Sequence, residues 1–166
     1  LGPIQHCEMN IDDFIVCTGA QASGKSTLAK SVFFFKNLKT LLFAQFNRGY
    51  LLREKREDPL EYVSFGTRFF IEIRSNFMQI FGTTWHMDPD MNLTYWYGEE
   101  TYIKLSLKNW KEITQEVPNY IWIDCSEDIY EIFRYLEKLQ NEHHEHFGPV
   151  QDMLTRDIER LFSDNS

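Results

Sequence analysis

The run Gly19-Ala20-Gln21-Ala22-Ser23-Gly24-Lys25-Ser26-Thr27 constrains this chain more than any other, because it matches G-x-x-x-x-G-K-[ST]. Glycine at each end lets the backbone bend tightly and turn successive amide N–H groups into one concavity. Such a concavity binds anions, and a helix that starts at Lys25 aims the positive end of its dipole at the same charge. The flanks carry the pattern that this geometry needs. Phe14-Ile15-Val16-Cys17-Thr18 reads as a continuous apolar strand, covered on both faces as in a parallel sheet. After the loop, Leu28, Val32, Phe35, Leu38, Leu41 and Leu42 fall near helical spacing, predicting a helix from Lys25 to about Phe46.

The expected ligand is a nucleoside triphosphate with magnesium. Gly19, Gln21, Ala22, Ser23, Gly24 and Thr27 supply the phosphate cradle of this P-loop (a Walker A motif). Lys25 reaches the β- and γ-phosphates as the catalytic cation, and the Ser26 hydroxyl ligates Mg²⁺. No N-K-x-D guanine motif is present, so ATP is favoured over GTP.

Elsewhere the pattern alternates between strand and helix. Ile4–Ile11 reads as a short strand, with Cys7, Met9 and Ile11 alternating against His6, Glu8 and Asn10 before the turn at Asp12-Asp13. Asn47 to Leu60 is charged and reads as exposed. Ser64 to Phe81 is helical by the spacing of Phe65, Phe69, Ile73, Phe77 and Ile80, and Gly82 stops it. Leu93–Tyr97 and Thr101–Leu107 flank a Gly98-Glu99-Glu100 turn as a hairpin, and Tyr120–Asp124 adds a third strand. A helix capped by Ser126, with Asp128 near its start, runs to about His146, and a last amphipathic helix covers Val150 to Phe162. The fold class expected is α/β, a P-loop lobe with a mixed sheet that includes an antiparallel meander, flanked by helices. Residues 1–166 form one domain.

Leu1-Gly2-Pro3-Ile4, an acidic turn, the Phe14–Thr18 strand and the loop Gly19–Lys30 (GAQASGKSTLAK) together resemble the start of ABC-type ATPases of the structural-maintenance-of-chromosomes and RecF kind, including bacterial AAA-like proteins. The resemblance covers about the first forty residues. It implies an N-terminal lobe of a longer ATPase, hydrolysis only once a second lobe or partner module closes the site, and a homodimer through the nucleotide face. It also implies a Q-loop glutamine, for which Gln45 and Gln79 are the two choices. No LSGG-like signature occurs. Asp124 ends an apolar strand where a Walker B aspartate would hold magnesium, but Cys125 follows it instead of Glu. Two alternatives stand beside this reading: a compact phosphotransferase with Asp124 as its Walker B acid, and a non-catalytic nucleotide-sensing module.

Composition narrows the partners. The 166 residues carry 17 Lys and Arg against 25 Asp and Glu, a net charge of −8, so DNA is a partner of a longer protein and is not indicated by charge here. Arg48, Arg53, Lys55 and Arg56 interleave with acids and read as a solvated face. Three cysteines without a CxxC pair favour a reducing, cytoplasmic setting, and no apolar run reaches the roughly 20 residues that span a bilayer. The chain begins with Leu, so residues are expected upstream. His143 and His146 share a helix face yet lack the third and fourth ligands of a zinc site, and Asp88 and Asp90 read as turn residues. Phe33-Phe34-Phe35, Trp85, Tyr95, Trp96, Tyr97 and Tyr102 read as core, with base stacking by an exposed member as the alternative.

Overall fold

The computed structural model describes residues 1–11, 15–52, 63–84, 87–108, 120–141, 152, 155–160 and 162. Helix α1 (Lys25–Leu52) leads to α2 (Phe65–Phe81), then to strands β1 (Asn92–Trp96), β2 (Tyr102–Lys108) and β3 (Tyr120–Cys125), and to α3 (Glu127–Asn141). Residues 155–160 are also helical, with Ile158 buried.

The strands form an antiparallel meander in the order β1-β2-β3, with Trp96 opposite Tyr102 and Lys104 opposite Asp124. Alternation turns Ile103, Leu105 and Leu107 of β2, and Ile121, Ile123 and Cys125 of β3, to one buried face. Helices cover that face. Phe34, Phe35, Leu38, Leu42 and Phe46 line the inner side of α1, and Phe65, Phe69, Ile73 and Phe77 recur every four residues along α2. Phe35 stacks on Tyr95 with ring centroids 5.2 Å apart, and the Tyr97 hydroxyl donates to the Phe35 carbonyl at 2.8 Å, so helix layer and sheet are joined by both packing and a buried hydrogen bond. The Lys30 ammonium donates to the carbonyl of Ile80 near the end of α2, where the helix dipole favours a cation.

Local signals end the elements where expected for α2. The Ser64 hydroxyl accepts from the amide of Thr67, and Gly82, at φ 84°, donates its own amide to Met78. Ser126 behaves differently from the predicted cap. Its hydroxyl accepts from the amide of Tyr102 on β2, which locks the β3–α3 junction to the sheet, while the Asp128 carboxylate accepts from the amide of Ile129.

Three expectations need correction. α1 continues past Phe46 to Leu52, because Gln45 and Phe46 still face the core and Arg48 pairs with Glu72 of α2 at 2.9 Å. The segment 53–60, with Arg53, Lys55 and Arg56, lies outside the described residues, as does the helix end at 142–150 with its histidines. The predicted strands at 4–11 and 15–18 are irregular instead, and Val16 is 67% exposed. A strand is completed only by a neighbour that accepts and donates across the ladder, and among the described residues the sheet consists of β1, β2 and β3 alone.

α2 and α3 meet at a point with no spare volume. A Cβ placed on Gly66 would lie 2.9 Å from Cδ2 of Phe133. The Phe133 ring cannot swing aside, since the rings of Phe65, Phe69, Phe70 and Tyr130 surround it at centroid distances of 5.5–6.0 Å. Gly66→Val should therefore cost about 2–3 kcal/mol through overpacking. For a chain of this size that lowers the thermal midpoint by roughly 4–12 °C. An unchanged midpoint in calorimetry would mean that the Phe133 ring is not confined.

Candidate functional site

The loop that precedes α1 turns tightly. Gly19, Ala22 and Gly24 all adopt positive φ, at 151°, 62° and 93°. Alanine in that region is strained, and its presence at position 22 shows that the fold of the loop is held against a local cost. Gly24 is required for a second reason: a Cβ there would approach Cγ1 of Ile4 to 2.5 Å. The N-terminal residues thus lie across the loop as a strap. Gly2 continues the contact, since a Cβ on it would meet the Thr27 hydroxyl at 3.0 Å.

The Lys25 ammonium is drawn back into the loop, donating to the carbonyls of Gly19 (2.7 Å) and Ala20 and to the Ser23 hydroxyl at 3.2 Å. The first helical bond of α1 runs from the amide of Leu28 to the carbonyl of Gly24. Amides of Lys25, Ser26 and Thr27 therefore have no acceptor inside the helix and face its open end. Ser26 is exposed there, and Gln21 lies in the exposed turn of the loop. An open cleft of about 700 Å³ lies beside them, lined by Pro3, Ile4, Val16, Thr18, Ser23 and Lys25 among others.

The other sequence candidates fall elsewhere. Asp124 points from the outer side of β3, where its carboxylate accepts from the Tyr102 hydroxyl at 3.2 Å and lies in register with Lys104; it does not line the cleft. That carboxylate holds the Tyr102 phenol above its ordinary range. Gln45 is buried, and its amide donates to the Phe65 carbonyl at 3.1 Å, a structural tie between α1 and the start of α2. Gln79 is exposed on α2. Asp88 serves its turn by accepting from the amide of Asp90. No group of three or more His, Cys, Asp or Glu among the described residues is arranged to hold a metal ion.

One site element was missed by pattern reading. Ile4 was assigned to the start of a strand and Gly2 to no element, whereas both buttress the loop and the first turn of α1 directly. The signal available was the Gly2-Pro3 pair, which marks a turn and so allows a close approach of the chain to its own loop.

Comparison with protein-family models, with curated proteins and with solved structures returned no match. No helix among the described residues is long and apolar enough to cross a membrane.

The cysteines differ sharply in exposure. Cys7 and Cys17, placed in strands by their sequence pattern, are exposed. Burial pushes the Cys125 thiol up to about 12, and the nearby carboxylates of Asp124, Asp128 and Glu127 act in the same direction. Burial likewise raises the Tyr130 phenol to about 12. Both groups keep their protons in the fold at a pH where the unfolded chain loses them, near 9 for the thiol and 10 for the phenol. Their contribution is complete below pH 9 and declines as pH rises from 9 to 12. Chemical denaturation across that range should show falling stability, with a shallower fall in Cys125→Ala. At pH 8 iodoacetamide should modify Cys7 and Cys17 and leave Cys125 intact until the chain is unfolded; early labelling of Cys125 would contradict its burial.

Proposed function

We propose that this chain binds ATP with Mg²⁺ at Gly19–Thr27 as the nucleotide-binding lobe of an ABC-type P-loop ATPase. The observation that carries the reading is the conjunction of three positive-φ positions, the helix-start amides of Lys25, Ser26 and Thr27 without an acceptor inside α1, and the Lys25 ammonium at the start of one long helix. The residues present fit a triphosphate. Gly19 and Gly24 leave open a cradle that side chains would fill, since a Cβ on Gly19 would lie 3.1 Å from the Ser23 hydroxyl. Lys25 and the hydroxyls of Ser23, Ser26 and Thr27 lie at the loop with Gln21, and none of the described residues that line the cleft is a carboxylate.

With a triphosphate bound, the Lys25 ammonium would exchange the loop carbonyls it now contacts for phosphate oxygens and so offset their charge. The Ser26 hydroxyl is the protein's ligand for Mg²⁺, which when bound offsets the charge between those two phosphates. In this reading hydrolysis depends on an acid supplied by a second lobe or partner module, and a homodimer through the nucleotide face is one way to bring it. Asp124 faces Tyr102 and Lys104 and not the cleft, which weighs against a compact phosphotransferase built on that acid. Free thiols at all three cysteines accord with a reducing cytoplasmic setting.

Equilibrium titration with a fluorescent ATP analogue, with and without Mg²⁺, tests the proposal. Lys25→Ala should weaken binding about 10- to 100-fold, the worth of a charge-assisted hydrogen bond. Ser26→Ala should keep nucleotide binding and lose most of the gain from Mg²⁺. Unchanged affinity in Lys25→Ala would sink the assignment of the loop.

A further inference from the structure

The side of the sheet turned away from the helices carries large aromatic side chains in solvent. Trp96 on β1 is 56% exposed and Trp122 on β3 is 43% exposed. Tryptophan is among the most buried side chains on average, so two on one open face require a reason. Both are supported. Trp96 packs against Tyr102 across the β1–β2 pair at a centroid distance of 4.9 Å, and Lys108 places its ammonium 3.8 Å from the centre of the Trp122 ring. Lys104 lies between these two ends, in register with Thr94 on one side and Asp124 on the other.

Charge on this face departs from that of the chain. Outward positions of the three strands hold Lys104 and Lys108 against the single carboxylate Asp124, whereas the whole chain has 17 basic residues to 25 acidic ones. We infer that this sheet face binds single-stranded nucleic acid, with bases stacked on Trp96 and Trp122 and phosphates paired with Lys104 and Lys108. The four residue steps of β2 from Tyr102 to Ser106, which is opposite Trp122, separate the two aromatic ends by about 14 Å along the strands and about 10 Å across them. That diagonal suits a short extended strand. Glu99 and Glu100 at the hairpin tip repel phosphate, so the backbone leads away from Trp96 towards Lys108. Stacking accepts every base because each has a π-face, and pairing in a duplex hides those faces. The inference is independent of nucleotide binding at Lys25.

Fluorescence anisotropy of the intact chain, with labelled oligothymidylate and oligouridylate of about 12 nucleotides and a duplex of equal length, tests it at low salt. Both single strands should bind, at least about tenfold tighter than the duplex, with affinity falling as salt is raised. Trp96→Ala with Trp122→Ala should weaken binding about tenfold or more. Lys104→Glu with Lys108→Glu, at outward positions that the core does not need, should weaken it and flatten the salt dependence. Lys25→Ala should bind as the unaltered chain does. Absence of single-strand binding, equal affinity for the duplex, or indifference to both double variants would overturn the inference. So would a dimer in sedimentation that the tryptophan variant dissociates, since the face would then belong to a second copy.

Discussion

Three short antiparallel strands cannot persist in water on their own hydrogen bonds, so everything in this molecule depends on the aromatic cover of one sheet face. The cover is built from phenylalanine at helix positions that face inward. Phe34 meets Phe35, Phe77 and Phe81 edge to face, and Phe35 lies flat on Tyr95 of the sheet. Each such ring buries on the order of 150–250 Å², which lets a few residues per helix close the core. Phe133 does for α3 what Phe34 does for α1, and Gly66 is the space that lets it in.

The core holds only part of α1. Buried positions run from Phe34 to Phe46, while Phe33 is 62% exposed and the first turns are exposed or half-buried. A helix of 28 residues is about 42 Å long, so it can be anchored at one end and carry a site at the other. The Gly19–Thr27 loop is thus positioned by helix continuity and by the strap at Gly2 and Ile4, and not by burial in the core.

The two faces of the meander divide the work. Inward positions of β2 and β3 are aliphatic and tie the layers together, and outward positions hold lysine, tyrosine and tryptophan. Asp124 belongs to the outward set, where Tyr102 satisfies it. A strand residue two positions from its neighbours shares their face whatever its chemistry suggests, so the parity of position 124 with Trp122 decided its surroundings.

Much of this was legible in the chain. The spacing of Phe65, Phe69, Ile73 and Phe77, bounded by Ser64 and Gly82, contained α2 almost to the residue, because caps and periodicity are local properties. The hairpin around Gly98 was equally local. Gln45 could have been placed as well, since it lies seven residues beyond Leu38 on the buried stripe of α1. Residues 4–11 and 15–18 misled the reading because alternating and apolar runs indicate extended backbone, whereas a strand also needs a partner that no local pattern supplies. The sequence by itself determined the tight glycine turn before Lys25 and the helix that follows, since both depend on neighbours within a few residues. Only the tertiary structure decided that Gly24 lies beneath Ile4, that Ser126 serves the sheet, and that Trp96 and Trp122 share one open face. Those facts depend on register and on contacts between distant segments, which the order of residues does not contain until the chain has folded.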